Sequence, residues 1–190
     1  MPDTATENKV QFNLKNVHYA LMQSDGSYST PVAIPGAVSL SLDPDGDTKP
    51  FYADGIKYYT SVANNGYSGD LEMALLPPAA RKALWNIEED SADHVLIERS
   101  SQQPAQFALL FQIDGDQQAA LNVLYNCTAS RPKIESKTDE SGKEVQTQKC
   151  KIDAAPLTDG KVMASTTAST PSAVISNWFA SVWTGTQTAA

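Results

Sequence analysis

Apolar and polar residues alternate with a period of two over residues 37–42, where Val38, Leu40 and Leu42 interleave with Ala37, Ser39 and Ser41. That period predicts a strand with one buried face. The same pattern returns in a strand over Tyr67 to Leu76, which sets Leu71, Met73 and Leu75 on one side. Between the two, Phe51-Tyr52-Ala53, Asp54-Gly55 and Ile56 to Ala63 predict a hairpin. Asp43-Pro44-Asp45-Gly46-Asp47 predicts a turn or loop. Asn64-Asn65-Gly66 has the strongest hairpin-turn chemistry in the chain, because asparagine and glycine tolerate the positive φ of a type I′ turn. Residues 34–77 therefore divide into four short strands. A proline-led helix follows over Pro77 to Trp85, with Leu84 and Trp85 packed on the sheet.

Elsewhere the pattern predicts a strand over Val17 to Met22 that ends in a turn at Ser24 to Ser27. Residues 87–105 are irregular apart from a short strand over His94 to Ile97. A second long hairpin pairs Gln106 to Ile113 with Gln118 to Cys127 around Asp114-Gly115-Asp116. Val145 to Ala154 and Lys161 to Thr167 add two strands. Ala173 to Trp183 carries Val174, Ile175, Trp178, Phe179 and Val182, which suits a short helix or an extended docking strap. Five of the ten glycines follow aspartate and one follows asparagine, a turn spacing typical of an all-β domain.

The chain has 190 residues, enough for one domain with an arm. Residues 1–12 are expected to form a flexible N-terminal arm and residues 13–184 a single domain. Within that domain, polar residues 130–143 form a mobile loop and residues 173–183 the C-terminal docking segment. The longest apolar run, Phe107 to Phe111, falls far short of the roughly 20 residues of a membrane helix. The polar opening MPDTATENK has no basic and apolar regions of a secretory leader. Net charge is −8 and the only adjacent basic pair is Arg81-Lys82, which disfavours sequence-specific nucleic-acid binding. Cys127 and Cys150 are expected as reduced thiols, with pairing left open.

The motifs carry little chemistry. Asp43, Asp45 and Asp47 begin like a calcium loop, but Thr48 and Asp54 stand where glycine and glutamate are needed, so a solvated acidic turn is favoured. Gly66-Tyr67-Ser68-Gly69 places its second glycine one residue early for a nucleophile elbow, and His18 and His94 are the only available bases. The two histidines and two cysteines lack metal-ligand spacing. Asp70 and Glu72 share a strand face, which fits a wet sheet surface better than acid–base work. No catalytic residue, metal or cofactor is assigned. Tyr58 and Tyr59 are adjacent, so at least one faces away from the core, as at a protein interface or a sugar platform.

Residues 16–77, NVHYALMQSDGSYSTPVAIPGAVSLSLDPDGDTKPFYADGIKYYTSVANNGYSGDLEMALLP, resemble the phi13-type major tail proteins (tail tube proteins) of long-tailed bacteriophages. FALLFQIDGD, VLYNCTASRP and NWFASVW are similar to that family in the same order, so the resemblance spans about residues 8–183. It implies two packed antiparallel β-sheets, sandwich- or barrel-like, with one flanking α-helix. It also implies a non-enzymatic subunit of hexameric rings stacked into a tube around a tape-measure protein. Tail terminator and distal tail or baseplate proteins would be further partners, phage DNA would pass transiently, and no membrane would be involved. The location would be the virion tail, after assembly in the host cytoplasm. Asp43, Asp45, Asp47, Tyr58, Tyr59, Glu135 and Lys137 are candidate inter-subunit contacts, and Ser39, Ser41, Asp70 and Glu72 candidate lumen-facing residues. The alternative is a monomeric β-sandwich module that binds carbohydrate or mediates adhesion through exposed tyrosines.

Overall fold

The computed structural model describes residues 7–138 and 145–185. Its strands are β1 (Gln11–Leu21), β2 (Val32–Ala33), β3 (Ala37–Asp45), β4 (Thr48–Ala53), β5 (Ile56–Val62) and β6 (Gly66–Met73). After helix α1 (Pro78–Trp85) come β7 (Glu88–Glu89), β8 (Leu96–Ile97), β9 (Phe107–Gly115), β10 (Ala120–Ala129), β11 (Gln148–Ala154) and β12 (Met163–Ser165), then helix α2 (Ser172–Asn177). One eight-stranded sheet runs β2-β1-β9-β10-β11-β6-β3, with β12 added to β10, and every pairing in it is antiparallel. The fold is mainly β, as expected. Its two packed layers are halves of one curled sheet: Val17, Phe107 and Leu109 from one half share a core with Leu71, Met73 and Ile152 from the other.

The run Phe107 to Phe111 is continuously apolar because β9 is buried on both faces. Phe107, Leu109 and Phe111 enter the inner core, while Ala108 and Leu110 join a second cluster with Leu121, Val123 and Tyr125. The C-terminal segment covers that second cluster. Trp178 is buried there, with its indole N–H 3.4 Å from the Asn122 carbonyl oxygen, and Phe179 stacks on His18 at 4.6 Å. Helix α1 packs on the inner core through Ala80, Leu84 and Trp85. Trp85 Nε1 donates to the Ala129 carbonyl at 2.9 Å, and Asn86 ends the helix in the left-handed region at φ 52°.

The segment 34–77 differs most from expectation. Its four strands form as expected, as β3 to β6, but they line up as the two arms of one long ribbon with a single reversal instead of three. The β3–β6 ladder ends at Asp45 opposite Gly66. Pairing then continues through Asn65 N–H to Asp45 O (2.8 Å) and Ala63 N–H to Asp47 O (3.0 Å) into the β4–β5 ladder. The chain reverses at Asp54-Gly55, where φ values of 52° and 77° supply the positive pair that a type I′ turn needs. Asp43–Asp47 and Asn64–Gly66 are therefore joints within the ribbon. A Cβ on Gly46 would lie 1.9 Å from the Ala63 carbonyl oxygen, and one on Gly66 would lie 1.8 Å from that of Ala154. These glycines permit close backbone approach rather than chain reversal.

Two expected core residues are exposed. The register slips between Ala37 and Ser39, so Val38 leaves the inward phase that Leu40 and Leu42 keep. Strand β6 ends at Met73, and the following bend buries Leu76 in place of Leu75. At the other end of the chain, β1 begins at Gln11 rather than Val17. Asn8 is held at the β9–β10 turn: its Oδ1 accepts the N–H groups of Gln117 and Gln118, and its Nδ2 donates to Gln118 O. Residues 1–6 of the expected arm lie outside the described residues.

Both cysteines are free and buried. Cys127 pairs across the ladder with Ala154, four residues along β11 from Cys150. That offset is about 13 Å of strand, beyond the roughly 7 Å reach of a disulfide. Burial pushes the Cys127 thiol up to about 12 and the Cys150 thiol up to about 11. A thiol reagent at pH 8 is expected to titrate neither group in the folded chain and both after unfolding in guanidinium. Rapid modification of the folded protein would contradict this burial.

Candidate assembly surfaces

The β4–β5 hairpin leaves the core carrying Phe51, Tyr52, Ile56, Tyr58, Tyr59 and Val62, all exposed. Tyr58 is 70% and Val62 73% accessible, so neither is a core residue of the isolated chain. Phe51 stands opposite Tyr59, and the register slips between Phe51 and Tyr52. A two-stranded ribbon with this much bare apolar surface gains little by itself in water. The arrangement instead offers apolar side chains to a partner. Lys49 and Lys57 against Asp54 make the hairpin net positive, in a chain of net charge −8.

Register fixes what lies at the opposite end. Ala37, Met73 and Gln148 form one row of the sheet, and Pro44, Tyr67 and Ala154 another. The hairpin extends past the Tyr67 row. Strand β10 ends at Ala129, in the Gly69 row and heading toward the Met73 row, where β11 begins at Gln148. Glu135 and Lys137 therefore lie on the far side of the fold from Tyr58 and Tyr59. Glu135 pairs with Lys133, and the Lys137 backbone exchanges hydrogen bonds with the Gln146 amide. Residues 139–143 of the expected mobile loop lie outside the described residues.

The Met73 end has exposed apolar residues that the sequence pattern did not single out. Leu75 is 65% and Ile134 96% accessible, and Val38 and Val145 are also exposed there. Sequence periodicity assigned Val38 and Leu75 to the core, so a local bulge and a strand end concealed them.

Asp43, Asp45 and Asp47 do not form a loop cluster. Asp43 and Asp45 belong to β3, and Asp47 sits at the joint into β4. Ser39, Ser41, Asp70 and Glu72 do come together on the outward face: Ser39 opposes Glu72 and Ser41 opposes Asp70. The next strand places Lys149 opposite Glu72 and Lys151 opposite Asp70. That face thus alternates charge, with Asp43, Asp70, Glu72 and Asp153 against two lysines. The alternation Lys149, Cys150, Lys151, Ile152 was visible in the sequence, but the pairing of β11 with β6 was not.

Hydrogen bonds from Thr147 and then Ser39, with Lys149 nearby, hold the Glu72 carboxyl below its usual range. Lys15 does the same for Asp114, Lys161 for Asp159, and Lys82 for Glu89. A carboxylate with a depressed folded value stabilises the fold above its unfolded value, and that contribution fades as pH falls through the folded one. Melting temperature is therefore expected to hold near neutral pH and to fall below about pH 4, the ordinary carboxylate range. A flat profile from pH 6 to pH 3 would contradict these assignments.

Ser68 lies inside β6, whereas His18 belongs to β1 and His94 to the β7–β8 connection. His18 Nδ1 is bonded to the Asn16 carbonyl and His94 Nδ1 to Glu89. No nucleophile–base pair is assembled from these residues. Among the described residues no group of three or more His, Cys, Asp or Glu is placed to hold a metal ion, and no helix is long and apolar enough to cross a membrane.

No protein-family model matches the chain, and no curated protein sequence matches it. Solved structures with a similar arrangement include the tube-terminating cap of the anti-feeding prophage, 14% identical over 88% of this chain and 99% of that one, with a TM-score of 0.47. A chain of the anti-feeding prophage baseplate, solved with six-fold symmetry, is 11% identical over 87% of this chain and 99% of its own, with a TM-score of 0.49. A chain of the PVC sheath–tube complex of an extracellular contractile injection system, in the extended state, is 11% identical over 80% of this chain and 88% of its own, with a TM-score of 0.44.

Proposed function

We propose that this chain is a structural, non-enzymatic subunit of a phage tail tube of the phi13 major-tail type. It assembles into hexameric rings that stack into a conduit for DNA ejection. The observation that carries this reading is the apolar β4–β5 hairpin, held out from the core on a continuous ladder and bare of cover in the single chain. Large exposed apolar patches mark interaction sites, and a contact between unlike surfaces of identical chains generates rings or open stacks. The ordered resemblance of residues 8–183 to tail tube proteins agrees with it. The mixed-charge outward face with Asp70 and Glu72 would line the lumen, where its carboxylate excess keeps a phosphate backbone from adhering. A tape-measure protein, a terminator and baseplate proteins would complete the assembly.

Sedimentation velocity over a wide concentration range tests the reading. Association into large species as concentration rises supports it. A constant monomer peak, with binding of the exposed tyrosines to a glycan array, would favour the adhesion module instead.

A further inference from the structure

We infer that the cavity beside the β10 bulge binds a small organic cation, an alkylammonium with a neutral hydrogen-bonding group at its other end, such as an acylated diamine or an amino alcohol. The inference stands whether or not copies of the chain associate. The cavity has a volume of about 550 Å³ and lies between the β1–β2 connection, β10 and the β11–β12 connection. That is the size class of small-molecule sites. Inward residues of a regular strand are two apart, yet Leu124 and Cys127, three apart on β10, both enter the inner core. The register shift between them turns Tyr125 and Asn126 together toward the cavity. Asn126 holds a φ of 47° inside the strand, and its amide donates to Pro156 O at 3.4 Å. A non-glycine residue in the left-handed region of a strand interior is strain of the kind that gathers at ligand sites.

Three observations define the ligand. First, Tyr28 Oη is buried in the cavity wall and makes no hydrogen bond of normal geometry among the described residues. A buried hydroxyl without a partner is costly, so a ligand group is expected to supply one. Burial pushes the Tyr28 phenol up, so it remains a donor near neutral pH. The neighbouring Tyr125 hydroxyl is already committed to Trp183 O. Second, Asp25 keeps a free carboxylate oxygen. The Ser27 N–H (2.9 Å) and O–H (2.6 Å) both donate to its Oδ1, and it has no cationic partner among the described residues. Third, the other charges of the cavity satisfy each other: Lys161 Nζ lies 2.8 Å from Asp159 Oδ2 and donates to Thr184 O at 2.8 Å. What remains is one unpaired negative charge and one unpaired hydroxyl, with Met22 and Leu157 as apolar wall. An anion would meet a free carboxylate and a cation already paired. A divalent metal ion needs several oxygen ligands around one point, and no such group is assembled among the described residues. An alkylammonium meets every requirement. Its charge sits on exposed Asp25 at the mouth, its stem runs along Met22 and Leu157, and its carbonyl or hydroxyl oxygen accepts from Tyr28 Oη.

Equilibrium dialysis of the full-length protein against N-acetylputrescine tests this. One saturable site per chain is expected, with a Kd on the order of 0.1–1 mM, the range for a ligand of this size. Butylamine lacks the amide and N-butylacetamide lacks the charge, so each is expected to bind roughly tenfold more weakly or worse. Asp25→Asn removes the charge but keeps an oxygen for the Ser27 N–H, and Tyr28→Phe removes only the hydroxyl. Each is expected to weaken N-acetylputrescine binding about tenfold. The melting temperature of Tyr28→Phe should stay at or above that of the wild type, because a hydroxyl with no internal partner stabilises nothing. Asp54→Asn, at the exposed tip of the β4–β5 hairpin, should bind as the wild type does. Absence of saturable binding would overturn the site. Undiminished binding by Asp25→Asn and Tyr28→Phe would overturn it as well. An equal loss in Asp54→Asn would also overturn it, since diffuse attraction to an acidic chain would then account for the binding.

Discussion

Replacing Thr48–Val62 by a two-residue Asn-Gly turn is expected to leave the β-core folded and to abolish self-association. Asp47 and Ala63 already face each other across the ladder, with Ala63 N–H bonded to Asp47 O at 3.0 Å, so a type I′ turn can close the ribbon there. None of the six large apolar side chains removed belongs to either core cluster. The melting temperature should therefore change by only a few degrees, the scale of a surface change. The effect on assembly should be much larger. Burying three or four such side chains at a contact contributes about 5–10 kcal/mol gross, and each 1.4 kcal/mol is about tenfold in an association constant. Sedimentation of the shortened chain checks this. Undiminished association would remove the hairpin from the interface.

The second large effect concerns the core. Trp85→Ala is expected to cost about 3–5 kcal/mol, the range for truncating a buried aromatic. Trp85 is 1% accessible, packs in the inner cluster beneath the sheet, and donates its indole N–H to Ala129 O. Against a total stability of about 5–15 kcal/mol, that loss should lower the melting temperature by roughly 10–15 °C for a chain of this size. Trp85→Phe keeps most of the volume and loses the hydrogen bond, so its cost should be nearer 1–2 kcal/mol. Equal costs for the two variants would mean that the hydrogen bond, rather than packing, dominates. Thermal unfolding followed by circular dichroism separates the two.

Local pattern revealed the strands and helix α1 well, because burial on one face or both leaves a periodic trace. Leu40, Leu42, Leu71 and Met73 kept the inward phase that alternation assigned. The unbroken run Phe107 to Phe111 became the strand buried on both faces. Turn chemistry was less specific. Asp-Gly and Asn-Gly permit positive φ or close approach, and only Asp54-Gly55 used that freedom to reverse the ribbon. Val38 and Leu75 were misplaced because a bulge and a strand end change the phase without leaving a local mark. The lysines beside Asp70 and Glu72 come from a strand about 80 residues away in sequence, a distance at which alternation carries no pairing information. Exposure of Tyr58 and Tyr59 was half legible: adjacency placed one of them outward, and projection of the hairpin exposed both.

Electron microscopy of the concentrated wild-type protein in negative stain tests the central claim most directly. Head-to-tail docking of six-membered rings predicts end-on views with six-fold symmetry and side views with a regular axial repeat. A field of isolated monomers, or closed two-fold dimers, at every concentration would contradict it.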